Sequence, residues 1–139
     1  MLQRIQSVWL LLASACTFLS LKFPFYTGNY TDSKNFTTFE NLNGTFSIPL
    51  ILLSSAIGIT TLICIFLYKN RKLQLRLSLL CIILEVLLIF LYYTKSKDFV
   101  NGAYALTALL QACTAFFLFL AAKGINHDEK IIKESNRLR

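Results

Sequence analysis

The sequence predicts an all-α membrane protein: a four-transmembrane-helix up-down bundle with a small β-hairpin in its first outer loop. Three observations predict it. Four apolar runs of about 20 residues are spaced along a chain of 139, each about 30 Å long as a helix and so matched to a hydrocarbon core. Hydrophobic residues make up 55% of the chain and charged residues 15%, against about 45–50% and 25% in soluble domains. Lysines and arginines gather at the ends of the runs, where topology signals sit. A run crossing a bilayer alone must be a helix, because only a helix satisfies its own backbone away from water. Residues 1–139 read as one membrane domain.

The first span covers about 3–23. A short polar lead with Arg4, followed by Ala13, Ser14, Ala15 and Cys16, has features of a signal or lipoprotein leader. The run stays apolar through Phe18, Leu19 and Leu21, so a retained helix is expected. Phe23, Pro24 and Phe25 end it, since proline removes a donor and favours extended backbone before it. The loop 24–47 turns to Thr, Asn, Gly and aromatic residues. Its alternation over 26–31 and 36–39, with a turn at Asn43 and Gly44, predicts the hairpin. A lone hairpin is marginal in water and must rest on the helix ends. Asn29, Asn35 and Asn43 each begin a glycosylation-type triplet, a pattern that recurs by chance in a segment so rich in Asn and Thr.

The second span runs over about 48–68, with Pro49 in its first turn, where no backbone donor is needed. Lys69, Asn70, Arg71 and Lys72 link it tightly to the third span, 73–93, and Lys95 to Asp98 lead into the fourth, 101–122. The pairs Ser54/Gly58 and Ala108/Ala112 predict close helix approach. Gly124 predicts a break before the tail, 123–139, whose Ile125, Ile131, Ile132 and Leu138 form a narrow apolar edge.

Charge sets the orientation. Arg4, Lys69, Arg71, Lys72, Arg76, Lys123, Lys130, Lys133, Arg137 and Arg139 fall on one face, and Lys22, Lys34, Lys95 and Lys97 on the other. The basic-rich face is expected to be cytoplasmic, with both termini inside and the loop 24–47 periplasmic. Tyr26, Tyr92, Tyr93 and Tyr104 then lie towards the outer boundary, and Trp9 and Tyr68 towards the inner one, as suits amphipathic rings. The net charge of +7 is thus explained by topology rather than by nucleic acid. The residues Gln3, Arg4, Gln6, Lys69, Arg71, Lys72, Arg137 and Arg139 are candidates for docking a cytoplasmic partner or contacting anionic headgroups of membrane lipids.

Glu85 is the one acid inside a span, about 12 Å below the outer end of the third run. A charge at the bilayer centre costs roughly 2.5–3.5 kcal/mol on insertion scales, so such a residue must face protein or water. Ser78, Cys81 and Tyr92 share its stripe, and Gln111 on the fourth span reaches nearly the same depth beside Tyr104, Thr107, Ala108 and Thr114. Ser14 and Ser55 come within about a turn. An intramembrane polar cluster of Glu85, Gln111, Ser14 and Ser55 follows. It serves either as glue between helices or as a substrate, lipid or proton site.

Catalytic patterns are missing: the sequence has no HExxH, GxSxG or phosphate-cradling loop, and no metal site. Its one histidine, His127, rules out a bis-histidine haem, and no cofactor is implied. Cys16, Cys64, Cys81 and Cys113 fall one to each run and read as packing residues.

The opening Met1-Leu2-Gln3-Arg4-Ile5-Gln6-Ser7-Val8-Trp9, the Phe23-Pro24 step and the closing Asn136-Arg137-Leu138-Arg139 resemble a Bacteroidota family of small four-span inner-membrane proteins of unknown function. Asn136 departs from its more frequent Asp. The resemblance implies a bacterial inner membrane, where the glycosylation triplets have no role, and it implies no activity. The two ends, brought to the cytoplasmic surface, would form a common docking patch. A claudin-like class lacks support here, because 26–47 holds neither its tryptophan nor its paired cysteines. The expected function is that of a non-enzymatic accessory or structural subunit of a larger membrane complex. The alternative is a small transporter or proton-coupled protein using Glu85.

Overall fold

A computed structural model describes residues 2–31 and 37–137. The elements in order are α1 (Leu2–Lys22), β1 (Tyr26–Thr31), β2 (Thr37–Leu42), α2 (Ile48–Phe66), α3 (Arg71–Ser96), β3 (Phe99–Tyr104) and α4 (Leu109–Arg137). Short 3-10 turns at Leu67–Lys69 and Leu106–Ala108 precede α3 and α4. Among the described residues, four helices are long and apolar enough to cross a membrane. They close into a ring in which α1 packs on α2 and α4, and α3 packs on the same two.

Each helix turns one stripe inward at alternating steps of three and four. The buried positions are Gln6, Leu10, Ala13, Thr17 and Ser20 on α1, and Leu50, Ser54, Ile57, Thr61 and Cys64 on α2. On α3 they are Gln74, Ser78, Cys81, Glu85, Leu88, Tyr92 and Ser96, and on α4 Gln111, Thr114, Leu118, Ala121, Ile125 and Asp128. A sustained 3.5-residue period keeps each stripe on its neighbours when helices supercoil gently left-handed. Gly58 lets α1 approach, since a Cβ there would lie 2.9 Å from the Phe18 ring. The other expected small-residue seam does not form within the chain: Ala112 is exposed and Ala108 sits in the 3-10 turn.

The expected hairpin is one part of a three-stranded antiparallel sheet ordered β2-β1-β3. Tyr26 pairs with Leu42 on one side and with Tyr104 on the other. The register against β3 shifts between Thr27 and Asn29. There Gly28 and Gly102 meet backbone to backbone, so that a Cβ on Gly28 would lie 2.6 Å from the Gly102 Cα. Asn101 turns the strand with φ at +53°, a conformation asparagine tolerates better than most residues. The third strand supplies what an isolated pair lacks.

The sheet sits on the helix ends through aromatic rings. Phe25 stacks on Tyr92 with centroids 4.7 Å apart, and Tyr26, Tyr30, Phe46 and Phe99 continue the cluster. Tyr92 is therefore a buried ring beneath the sheet, turned inward rather than towards the surroundings.

Two boundaries differ from expectation at the fourth span. Residues 99–104 form a strand, so the helix starts later than 101; Phe99, Val100 and Tyr104 favour extended backbone, and Asn101-Gly102 cannot open a helix in the conformation they hold. Tyr104 accordingly leaves the helical stripe of Gln111. At the other end α4 continues through Gly124 without a break. The glycine is there for approach, since a Cβ would lie 3.0 Å from the Gln6 Cγ. With 29 residues, α4 extends about 44 Å, some 14 Å beyond a hydrocarbon core.

Candidate functional site

Glu85 and Gln111 lie on the inward stripes of α3 and α4, 0% and 2% exposed. Gln111 Nε2 donates to Glu85 Oε1 at 2.7 Å, joining the two helices at the level the sequence places them. The second carboxyl oxygen, Glu85 Oε2, is buried with no partner among the described residues, as are Ser54 Oγ, Ser78 Oγ and the Tyr92 hydroxyl. The Tyr92 hydroxyl faces Ser20 and Ser54. Together they make a polar seam along the axis of the ring, with Ser78 a turn or two to one side of Glu85 and Tyr92 to the other.

The two predicted serines behave differently. Ser14 is buried, but its hydroxyl donates to the Leu11 carbonyl of its own helix at 2.8 Å. Ser55 is out of the cluster: it stands off the inward stripe of α2 and donates to Ile51 O at 2.7 Å. Its neighbour Ser54 holds the inward position, because the stripe at 50, 54, 57, 61 and 64 skips 55. The Ser54/Gly58 spacing already marked that stripe in the sequence.

A second polar group closes the far end of the seam. Gln6 Nε2 of α1 donates to Asp128 Oδ2 of α4 at 2.6 Å, and Arg71 at the start of α3 lies 3.6 Å from the same oxygen. Gln6 and Asp128 are each 6% exposed. Sequence reasoning missed Asp128 because a break at Gly124 takes it off the helix. Continued through Gly124, the steps from Gln111 place it on the same stripe. Gln74 adds a further tie, donating to the Cys64 carbonyl at 2.9 Å.

These contacts alter the docking set. Gln6 is withdrawn from the surface and Arg71 is half-buried against Asp128, while Lys72 is exposed. The side chains of Gln3, Arg4, Lys69 and Arg137, and the whole of Arg139, lie outside the described residues. His127 is exposed. All four cysteines carry free thiols, with Cys64 and Cys81 fully buried.

The model of one family matches residues 2–138, nearly the whole chain. The chain belongs to that family, Domain of unknown function (DUF4293). No curated protein and no solved structure matches it. For this member of the family, the helices and seam above are therefore the ground for any functional reading.

Proposed function

We propose that the chain is a non-enzymatic integral subunit of a larger bacterial inner-membrane assembly. In this reading it has four up-and-down spans, cytoplasmic termini and a periplasmic sheet. One observation carries it: α3 is inside out. Of its seven buried residues four are polar, Gln74, Ser78, Glu85 and Ser96, and Tyr92 buries its hydroxyl as well, while Leu79, Leu80, Ile83, Val86 and Phe90 face outward. In water that arrangement is unfavourable, because burial of apolar surface drives folding; in lipid the exposed leucines cost nothing and the polar groups must be kept inside.

The contacts support the up-and-down course. Glu85 meets Gln111 and Arg71 meets Asp128, so residue numbers fall along α3 as they rise along α4. The excess of Lys and Arg at the end holding Arg71 and Lys72 favours the cytoplasm for that end, and the terminal motifs favour a Bacteroidota source. A seam tied at both levels by its own side chains suits a scaffold offered to protein neighbours and membrane lipids. This role needs no cofactor and no nucleic acid. Gentle detergent extraction is expected to yield a complex much heavier than 15.8 kDa plus micelle, and a monomeric particle would reject the subunit role. Removal of 136–139 with no change in co-purifying partners would remove the terminal docking patch.

A second reading is favoured by the unpartnered Glu85 Oε2. Buried polar groups without partners mark sites where a proton or polar substrate is handled. In that reading Glu85 is the exchanging group of a small transporter. Glu85→Gln keeps a polar amide but cannot titrate. Full function in that variant would discard the relay and leave the scaffold.

A further inference from the structure

An open groove of about 280 Å³ runs between α3 and α4 at the Arg71–Asp128 end of the ring. Leu75, Leu79 and Ile82 form one wall and Phe119 and Ala122 the other, with Lys123 and Asn126 at its mouth. Lys123 and Asn126 are exposed, and no ion pair engages Lys123 among the described residues. The acid nearest that face by helical spacing is Glu129, one turn beyond Asn126, and no ion pair joins it to Lys123 among the described residues; Asp128 is turned inward to Gln6 and Arg71. Helical spacing brings exposed Lys72 onto the stripe of Leu75 and Leu79, and exposed Lys130 onto that of Asn126.

The groove also has the right depth, provided that the four helices span a bilayer as proposed above. Counting along α4 from the Glu85–Gln111 level, itself about 3 Å to the sheet side of the middle, Lys123 stands about 18 Å away, at the half-thickness of about 15 Å of a hydrocarbon core. The apolar walls cover the interval below it, from about 4 to 15 Å. An acyl chain of one leaflet occupies that interval, and its phosphate lies at the level of Lys123.

We infer that this groove is a binding site for an anionic phospholipid, with one acyl chain along Leu75, Leu79, Ile82 and Phe119 and its phosphate between Lys123 and Asn126. Lys72 and Lys130 add to the positive potential. The hollow at the other end of α3, beside Phe90, Leu91 and Thr94, makes a useful contrast. Its lysine, Lys95, is already paired with Asp98 at 3.7 Å and has no charge to spare.

The test uses the full chain in detergent, titrated with phosphatidylglycerol or phosphatidylcholine and weighed intact by native mass spectrometry. Expected is one tightly held phosphatidylglycerol and no matching phosphatidylcholine. Lys123→Gln should weaken that site about fivefold, the factor equivalent to about 1 kcal/mol per basic group near an anionic surface. Ala122→Phe, filling the groove beneath the lysine, should abolish the bound lipid, and Lys95→Gln should leave it unchanged. Equal retention of both lipids, loss on Lys95→Gln, or unchanged lipid in both groove variants overturns the site. So does a dimer whose formation Ala122→Phe abolishes, since the groove would then seat a second copy. Opposite-side labelling of the α2–α3 turn and the sheet, with no lipid retained, would reject the groove while keeping the spanning topology.

Discussion

Gln111 donates its side-chain amide to Glu85 across the α3–α4 seam at 2.7 Å, with both groups sealed from the surface. The bond fixes the level of one helix against the other. Replacing Gln111 by leucine leaves both carboxyl oxygens without a partner. A loss of about 1–3 kcal/mol is expected, from the cost of an unmet buried polar group. Glu85→Leu together with Gln111→Leu should recover much of it. Thermal unfolding in detergent, followed by Trp9 fluorescence beside Phe117, checks the pair, and a double-variant loss equal to the sum of the two single-variant losses would show that the bond contributes nothing.

Asp128 holds three helices at one point, through Gln6 of α1 and Arg71 of α3. Arg71→Leu removes its counter-charge and leaves a buried carboxylate held only by an amide. Asp128→Asn keeps a polar group for Gln6. The first is therefore expected to destabilise by about 1–3 kcal/mol and the second by less. Unfolding midpoints of the two variants decide it.

The Gly28–Gly102 contact fastens β3 to β1. A Cβ on Gly102 would stand 2.7 Å from the Thr27 carbonyl, so Gly102→Ala must part the strands. Asn101→Val should cost about 1–2 kcal/mol for its positive φ, and Asn101→Gly nothing measurable. Trypsin cleavage after exposed Lys97 is expected to accelerate in Gly102→Ala and Asn101→Val while the helical unfolding midpoint stays put.

The helices, the Glu85–Gln111 pair and the α3 stripe were legible in the sequence because each rests on local periodicity. Ser55 was misplaced because depth along a helix was read without its rotation, and a one-residue step turns a side chain by about 100°. The third strand was not legible: the pairing of Tyr26 with Tyr104 spans most of the chain, and hydrophobic alternation carries no signal of a distant partner. Gly124 read as a break because glycine weakens helices locally. Its close approach to Gln6, which decides the matter, belongs to tertiary packing.

The central claim is that four helices cross a bilayer with the Arg71–Lys72 turn and the sheet on opposite sides. With the native cysteines replaced by serine or alanine, Asn41→Cys on β2 and Lys72→Cys on α3 place one reporter thiol at each end, both at exposed positions. On cells with a permeable outer membrane, an impermeant maleimide is expected to label the Asn41→Cys variant at once and Lys72→Cys only after the inner membrane is broken. Labelling of both thiols from the same side would contradict the account.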